Sequence, residues 1–279
     1  QHTAQHNQPY CLSLGKTINR SIMYWGEPTA SIDWCEENYA NSYYIAEWYN
    51  SWSSLFFCVM GLTGLYLNVK QQSLKTAWLG SILLIVVGLG SFAFHATLLY
   101  SSQMADELPM SWAALSWCYI QVERGPKERF PMLPRLLWLY SLITTAWQIA
   151  LTHSFPILLE VQFGLMFVYI MYINYRHYYC KLQPGDPHFL FWLYAITALV
   201  AFFGCWIPDQ VFCYYWRNSA WFNPQLHAHW HVLMAISSHC GMTLTLFFRA
   251  KMFNRAPEIR YLFGVLPYCH QRPSPPDKR

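Results

Sequence analysis

Apolar runs of roughly twenty residues, the length a helix needs to cross a hydrocarbon core, recur along the chain. They fall at 44–69, 75–99, 105–123, 134–153, 156–179, 188–207 and 226–250. The breaks between them are chemically distinct: "KQQSLK" is polar, "ERGPKERFPMLP" is charged and proline-rich, and "KLQPGDP" is a turn cluster. The end, "HQRPSPPDKR", reads as disordered. This pattern predicts an all-α polytopic membrane protein of about seven transmembrane helices. It divides into a lumenal or extracellular segment over 1–43, a seven-helix domain over 44–253 and a cytosolic tail over 254–279. No internal repeat or second domain is visible.

Composition supports a membrane setting. Only 11% of the 279 residues are charged, 54% are hydrophobic, and 14 Trp and 20 Tyr supply an aromatic load typical of bilayer interfaces. A net charge of +4 with no basic stripe gives no reason to expect nucleic acid. No obligate protein partner is implied. Gln1–Tyr24 lacks the apolar core of a cleavable signal peptide. Nine cysteines without a CxxC pair argue against a zinc finger or a thioredoxin motif.

Lys and Arg set the orientation. Lys70, Lys75, Arg124, Lys127, Arg129, Arg135, Arg176, Lys181, Arg249, Lys251, Arg255 and Arg260 fall on one side. The other side holds only Lys16, Arg20 and Arg217. The asymmetry places the C-terminus in the cytosol and the N-terminus in the lumen or outside. Asn19-Arg20-Ser21 is a glycosylation sequon on that lumenal side.

Ionisable groups within spans mark function by default, because burying them in lipid is costly. Ser91 and His95 lie four residues apart, on one helix face near the end of the second span. Asp106 and Glu107 open the third span, where acids also suit a helix N-terminus. His227 and His231, in "LHAHWH", have the i, i+4 spacing that lets two imidazoles reach one metal. His229 points elsewhere, and His239 fits a buried polar role. The alternating topology brings His95, Asp106, His227 and His231 to similar depth on the lumenal side. Three imidazoles beside a carboxylate and a hydroxyl match a catalytic zinc inventory, with one position open for water. Zinc lowers the pKa of bound water toward about 7 and so supplies a nucleophile. A neighbouring carboxylate can carry the proton to a leaving amine, and a serine hydroxyl beside the metal can support the oxyanion. A site inside the membrane suits a lipid ester or amide.

The segment "SIDWCEENYANSYYIAEW" adds a second cluster: four of the chain's 14 acids stand there, just before the first long apolar run. Asp33, Glu36, Asn38 and Glu47 are hard oxygen donors of the kind calcium takes, although the spacing is not that of an EF-hand. A solvated acidic loop accounts for them equally well.

The blocks "DWCEENY…IAEWYN", "GSFAFH…DELPM" and "LHAHWH", in this order, resemble the alkaline ceramidases. That family belongs to the seven-span hydrolase superfamily that includes the adiponectin receptors. The resemblance implies zinc on His95, His227 and His231, with Ser91 and Asp106 catalytic. It implies calcium on Asp33, the Trp34 carbonyl, Glu36, Asn38 and Glu47. It also implies a Cys35–Cys213 disulfide, a pairing that sequence leaves open among Cys11, Cys35 and Cys213. The implied activity is hydrolysis of a ceramide-type lipid to a sphingoid base and a fatty acid. The implied setting is the endoplasmic reticulum or Golgi, with the plasma membrane as a further option. The competing expectations are a seven-span lipid-sensing receptor and another lipid hydrolase of the superfamily.

Overall fold

A computed structural model describes residues 23–71, 75–122, 131–151, 154–155, 157–218, 223–253 and 255–271. Asn19, Cys11 and the basic residues Arg124, Lys127 and Arg129 lie outside the described residues, as does the tail beyond Gln271. The long helices are α1 (Trp48–Lys70), α2 (Lys75–Thr97), α3 (Tyr100–Val122), α4 (Leu133–Leu151) and α5 (Ile157–His177). After them, α6 (His188–Leu199) runs through a π-helical turn at Val200–Trp206 into α7 (Ile207–Val211). The short α8 (Cys213–Asn218) and the long α9 (Leu226–Met252) follow.

Among the described residues, α1, α2, the continuous segment His188–Val211 and α9 are long and apolar enough to cross a membrane. The chain is thus mostly helical and membrane-type. α3 is less apolar because it carries Gln103, Asp106, Glu107 and Gln121, and all four are buried inside the molecule. On α4 the arrangement reverses: Leu136, Trp138, Leu139, Leu142 and Ile143 face outward and are exposed. α9 is the most enclosed of the four spans, and Ala235, Cys240, Leu244 and Phe247 pack it into the core.

One contact between α2 and α3 positions the site. A Cβ added to Gly90 would collide with the Ala105 carbonyl oxygen and lie 2.9 Å from the Asp106 backbone nitrogen. Pro109 sits inside α3 and has no N–H to give that Ala105 carbonyl, four residues back. The freed carbonyl and the missing side chain let the two backbones touch. This close approach sets Ser91, the next residue on α2, beside Asp106.

The C-terminal stretch departs from the expected tail. Pro257–Leu262 and Leu266–Gln271 form an antiparallel hairpin, paired from Pro257↔Gln271 to Leu262↔Leu266. His270 and Gln271, in the stretch expected to be disordered, are the last residues of its second strand. The turn uses left-handed backbone at Phe263 and Gly264, φ 52° and 74°. The hairpin docks on α9: Cys269 is buried, and His239 donates from Nε2 to the Pro267 carbonyl at 2.8 Å. That bond gives His239 the buried polar role expected of it. The strands are six residues each, too short to register against seven long apolar runs.

Candidate active site

The end of α2 and the start of α1 are tied together by backbone. Glu47 N–H donates to the His95 carbonyl at 2.9 Å, and Ala46 N–H donates to the Ala96 carbonyl at 3.0 Å. Thr29 and Ala30 N–H groups both reach the Leu98 carbonyl at 3.0 Å. These bonds satisfy carbonyls that every helix C-terminus leaves open. Leu98 takes φ 52°, an unusual left-handed value for a branched residue, and its burial holds it there. The result fixes His95 at the C-terminal end of α2.

His95, His227 and His231 meet. Their candidate ligand nitrogens all lie within 4.8 Å of one another, and all three rings are buried. Ring centroids are 5.1 Å apart for His95–His227, 5.0 Å for His95–His231 and 4.5 Å for His227–His231. His229, between the last two in sequence, is exposed and bonds the Gln225 carbonyl. This group can hold a metal ion.

Partners behind the rings fix their tautomers. Glu47 Oε2 accepts from His95 Nδ1 at 2.5 Å, leaving Nε2 with its lone pair. Ser53 Oγ lies 3.1 Å from the Asn50 carbonyl and 2.8 Å from His231 Nδ1. With its proton on the carbonyl it accepts from Nδ1, the arrangement in which His231 presents an unprotonated Nε2. His227 stacks on Trp34 with ring centroids 3.5 Å apart, and its Nδ1 is buried with no partner among the described residues. Buried ring nitrogens free to accept are what a divalent metal requires.

Ser91 Oγ lies 3.4 Å from His231 Nε2, and the close approach of α2 and α3 brings Asp106 beside it. Asp106 Oδ1 is buried without a partner among the described residues. Asp106 and His227 line a cavity of about 320 Å³ whose remaining wall is largely aromatic and aliphatic, including Phe94, Phe167, Trp206, Trp230 and Met234. A second cavity of about 140 Å³ shares Met110, Phe163, Phe167, Trp230 and Met234 with it.

The acidic loop lies directly behind this centre. Glu36 accepts from the Tyr49 and Asn50 N–H groups at 2.8 and 3.0 Å and so caps α1. Burial pushes its carboxyl up to about 7, against the pull of those two N–H groups. Glu47 Oε1 accepts from Trp34 N–H at 3.2 Å, and Asn38 donates to Asp33 Oδ1 at 3.0 Å. The Asn38 side-chain carbonyl is buried with no partner among the described residues. Cys35 and Cys213 are disulfide-bonded, with Cα atoms 5.2 Å apart, which joins the loop to α8.

Several participants carry no sequence signature. Arg217 Nη2 donates to the Trp34 and Glu36 carbonyls at 2.7 and 2.9 Å, and its Nε donates to the Cys35 carbonyl at 3.2 Å. Asp209 accepts from both Cys35 N–H and His227 N–H at 3.2 Å, so one carboxylate links the loop to the first turn of α9. The one available clue to Asp209 is that an acid stands at the end of an otherwise apolar run.

The fold and site define a mostly helical, membrane-type protein with a buried three-histidine centre open to an apolar cavity. A family model described as Ceramidase matches residues 26–270. The chain belongs to the ceramidase family, a family of hydrolases. It is 34% identical over 249 residues to the alkaline ceramidase of Arabidopsis thaliana, covering 88% of this chain and 94% of that protein. It is 31% identical over 258 residues to alkaline ceramidase 3 of Mus musculus, covering 88% and 93%. Against the alkaline ceramidase of Drosophila melanogaster the identity is 30% over 252 residues, covering 84% and 83%.

Proposed function

We propose that this chain hydrolyses the N-acyl amide bond of ceramide to a sphingoid base and a free fatty acid. Zinc is held by His95, His227 and His231, within a seven-span bundle. The observation that carries this reading is the convergence of three buried imidazoles on Ser91 and Asp106, at the wall of an apolar cavity. The metal, when bound, supplies Lewis-acid activation of water and of the acyl oxygen. Ser91 turns its hydroxyl proton toward the oxyanion that develops at the acyl carbon. Asp106 takes a proton from the attacking water and delivers it to the amide nitrogen as the C–N bond breaks. Water is thereby divided: its oxygen stays on the fatty acid, and its proton leaves on the amine. Glu47 and Ser53 hold His95 and His231 in the tautomers that face the centre.

Asp33, the Trp34 carbonyl, Glu36, Asn38 and Glu47 suit calcium. The orphaned Asn38 carbonyl supports this, as does the mutual repulsion that Glu47 experiences with Asp33 and Glu36. Arg217 uses one lone pair of the Trp34 carbonyl and leaves the other. The lumenal placement of this loop, with the C-terminus cytosolic in the endoplasmic reticulum or Golgi, rests on the asymmetry of Lys and Arg and on the disulfide.

The test is purified protein with acyl-labelled ceramide, zinc and calcium. Labelled fatty acid is expected from the parent, and none from His231→Ala. Absence of product from the parent, or equal turnover by the variant, would sink the reading.

A further inference from the structure

The few charged residues in the otherwise apolar lining of the cavity beside the three histidines are all acidic. They are Asp106 and Glu107 from α3 and Glu160 from α5; Lys and Arg are absent from the described lining. Asp106 is used at Ser91. Glu107, one residue on, projects about 100° further around the helix, and the hydrolysis does not require it.

Glu107 is held from behind. Its Oε1 accepts from Gln103 Nε2 at 2.9 Å, and Gln103 is fully buried. Gln103 is itself pinned to Ser31, whose N–H donates to Gln103 Oε1 at 2.8 Å. Glu107 is 8% exposed, yet its Oε2 has no partner among the described residues. A rigid, buried carboxylate with one free oxygen on a cavity wall is an acceptor awaiting a donor. Glu160 stands close enough for the two carboxylates to interact electrostatically.

We propose that Glu107, with Glu160, is the subsite that reads the hydrogen-bond donors of the sphingoid headgroup: its hydroxyls in the substrate and its ammonium in the product. The proposal rests on the ceramide amidase reading. An ionised carboxylate accepts and does not donate, so in that form this end of the cavity favours hydroxyl and ammonium groups. It disfavours the carboxylate of the fatty-acid product by like charge. The same wall therefore orients the substrate before cleavage, with the headgroup toward α3 and α5 and the acyl chain away from them.

The experiment compares two amides of matched chain length, ceramide and an N-acyl alkylamine that lacks both headgroup hydroxyls. Glu107→Gln keeps the contact with Gln103 and removes the charge. It is expected to raise KM for ceramide about tenfold, with kcat and turnover of the hydroxyl-free amide within about twofold. Equal losses on both amides would mean a structural role and would overturn the proposal, as would an unchanged preference. Should Glu107→Gln not fold, Glu160→Gln decides with the same expectation and the same overturning result. If the parent cleaves neither amide, the amidase reading fails separately. The subsite is then read by sphingosine binding to parent and Glu107→Gln: an affinity weaker by about tenfold supports it, and equal affinity overturns it.

Discussion

Glu47 is fully buried and serves three donors at once: Trp34 N–H on Oε1, and Asn50 Nδ2 and His95 Nδ1 on Oε2. A carboxylate offers about four acceptor positions, so one remains for a cation. This one side chain joins the acidic loop to a ring of the three-histidine centre. Removing such a partner of a ligating histidine weakens metal binding about 10–100-fold, and Glu47→Ala is expected to do so. Competition with a chromophoric chelator measures it; unchanged zinc affinity would show that His95 needs no orienting partner. On the proposed role of Ser91 as oxyanion donor, Ser91→Ala separates chemistry from metal binding: it is expected to lower kcat by about 10²–10³-fold with metal content intact, which turnover and elemental analysis check together. The histidines were legible because i, i+4 spacing and alternating topology are short-range and periodic properties. Ser53 was not, because its partner His231 is 178 residues away and a serine in an apolar run has no pattern to betray it.

At the scale of elements, the α2–α3 contact depends on an absence on each side: the Cβ at Gly90 and the N–H at Pro109. Gly90→Ala would place a carbon against backbone, which cannot rotate away as a side chain can. The variant is expected to lose about 1–3 kcal/mol or more of stability and to lose activity as Ser91 moves from Asp106. A thermal midpoint equal to the parent's would show that the helices part without cost. The C-terminal hairpin makes a second element-scale prediction. Burial pushes the Cys269 thiol up to about 12, so it stays protonated and covered at pH 8. Maleimide is expected to label the exposed Cys180 and to spare Cys269. His239→Ala removes the bond to Pro267 and should open Cys269 to labelling; continued protection would mean that strand pairing alone seats the hairpin. Sequence located the long helices well because each is an apolar run of about twenty residues, bounded by polar or turn-forming breaks. It missed the hairpin because two six-residue strands take their identity from a partner, not from their own period.

For the molecule as a whole, the acidic loop is the piece on which three helices converge. It closes the open carbonyls of α2, caps α1 through Glu36, and reaches α9 through Asp209 and the Trp34–His227 stack. Those helices carry His95, Ser53, His227 and His231. The loop is held by the Cys35–Cys213 disulfide, across 178 residues of chain, and by Arg217 on three successive carbonyls. A cation among Asp33, Glu36, Asn38 and Glu47 would add a third restraint by relieving repulsion between acids already close together. Chelating calcium is therefore expected to lower the thermal midpoint of the parent, and Asp33→Ala to abolish that shift. Cys213→Ser is expected to cost about 2–4 kcal/mol. Because disulfide and cation restrain one loop, their effects should not add: chelation should shift the midpoint by a different amount in Cys213→Ser than in the parent. Differential scanning on parent, Asp33→Ala and Cys213→Ser, each with and without chelator, measures all of these terms. Strict additivity would mean that the loop has two independent anchors. No chelator effect on the parent would remove the cation from the account and leave Arg217 and the disulfide holding the loop alone.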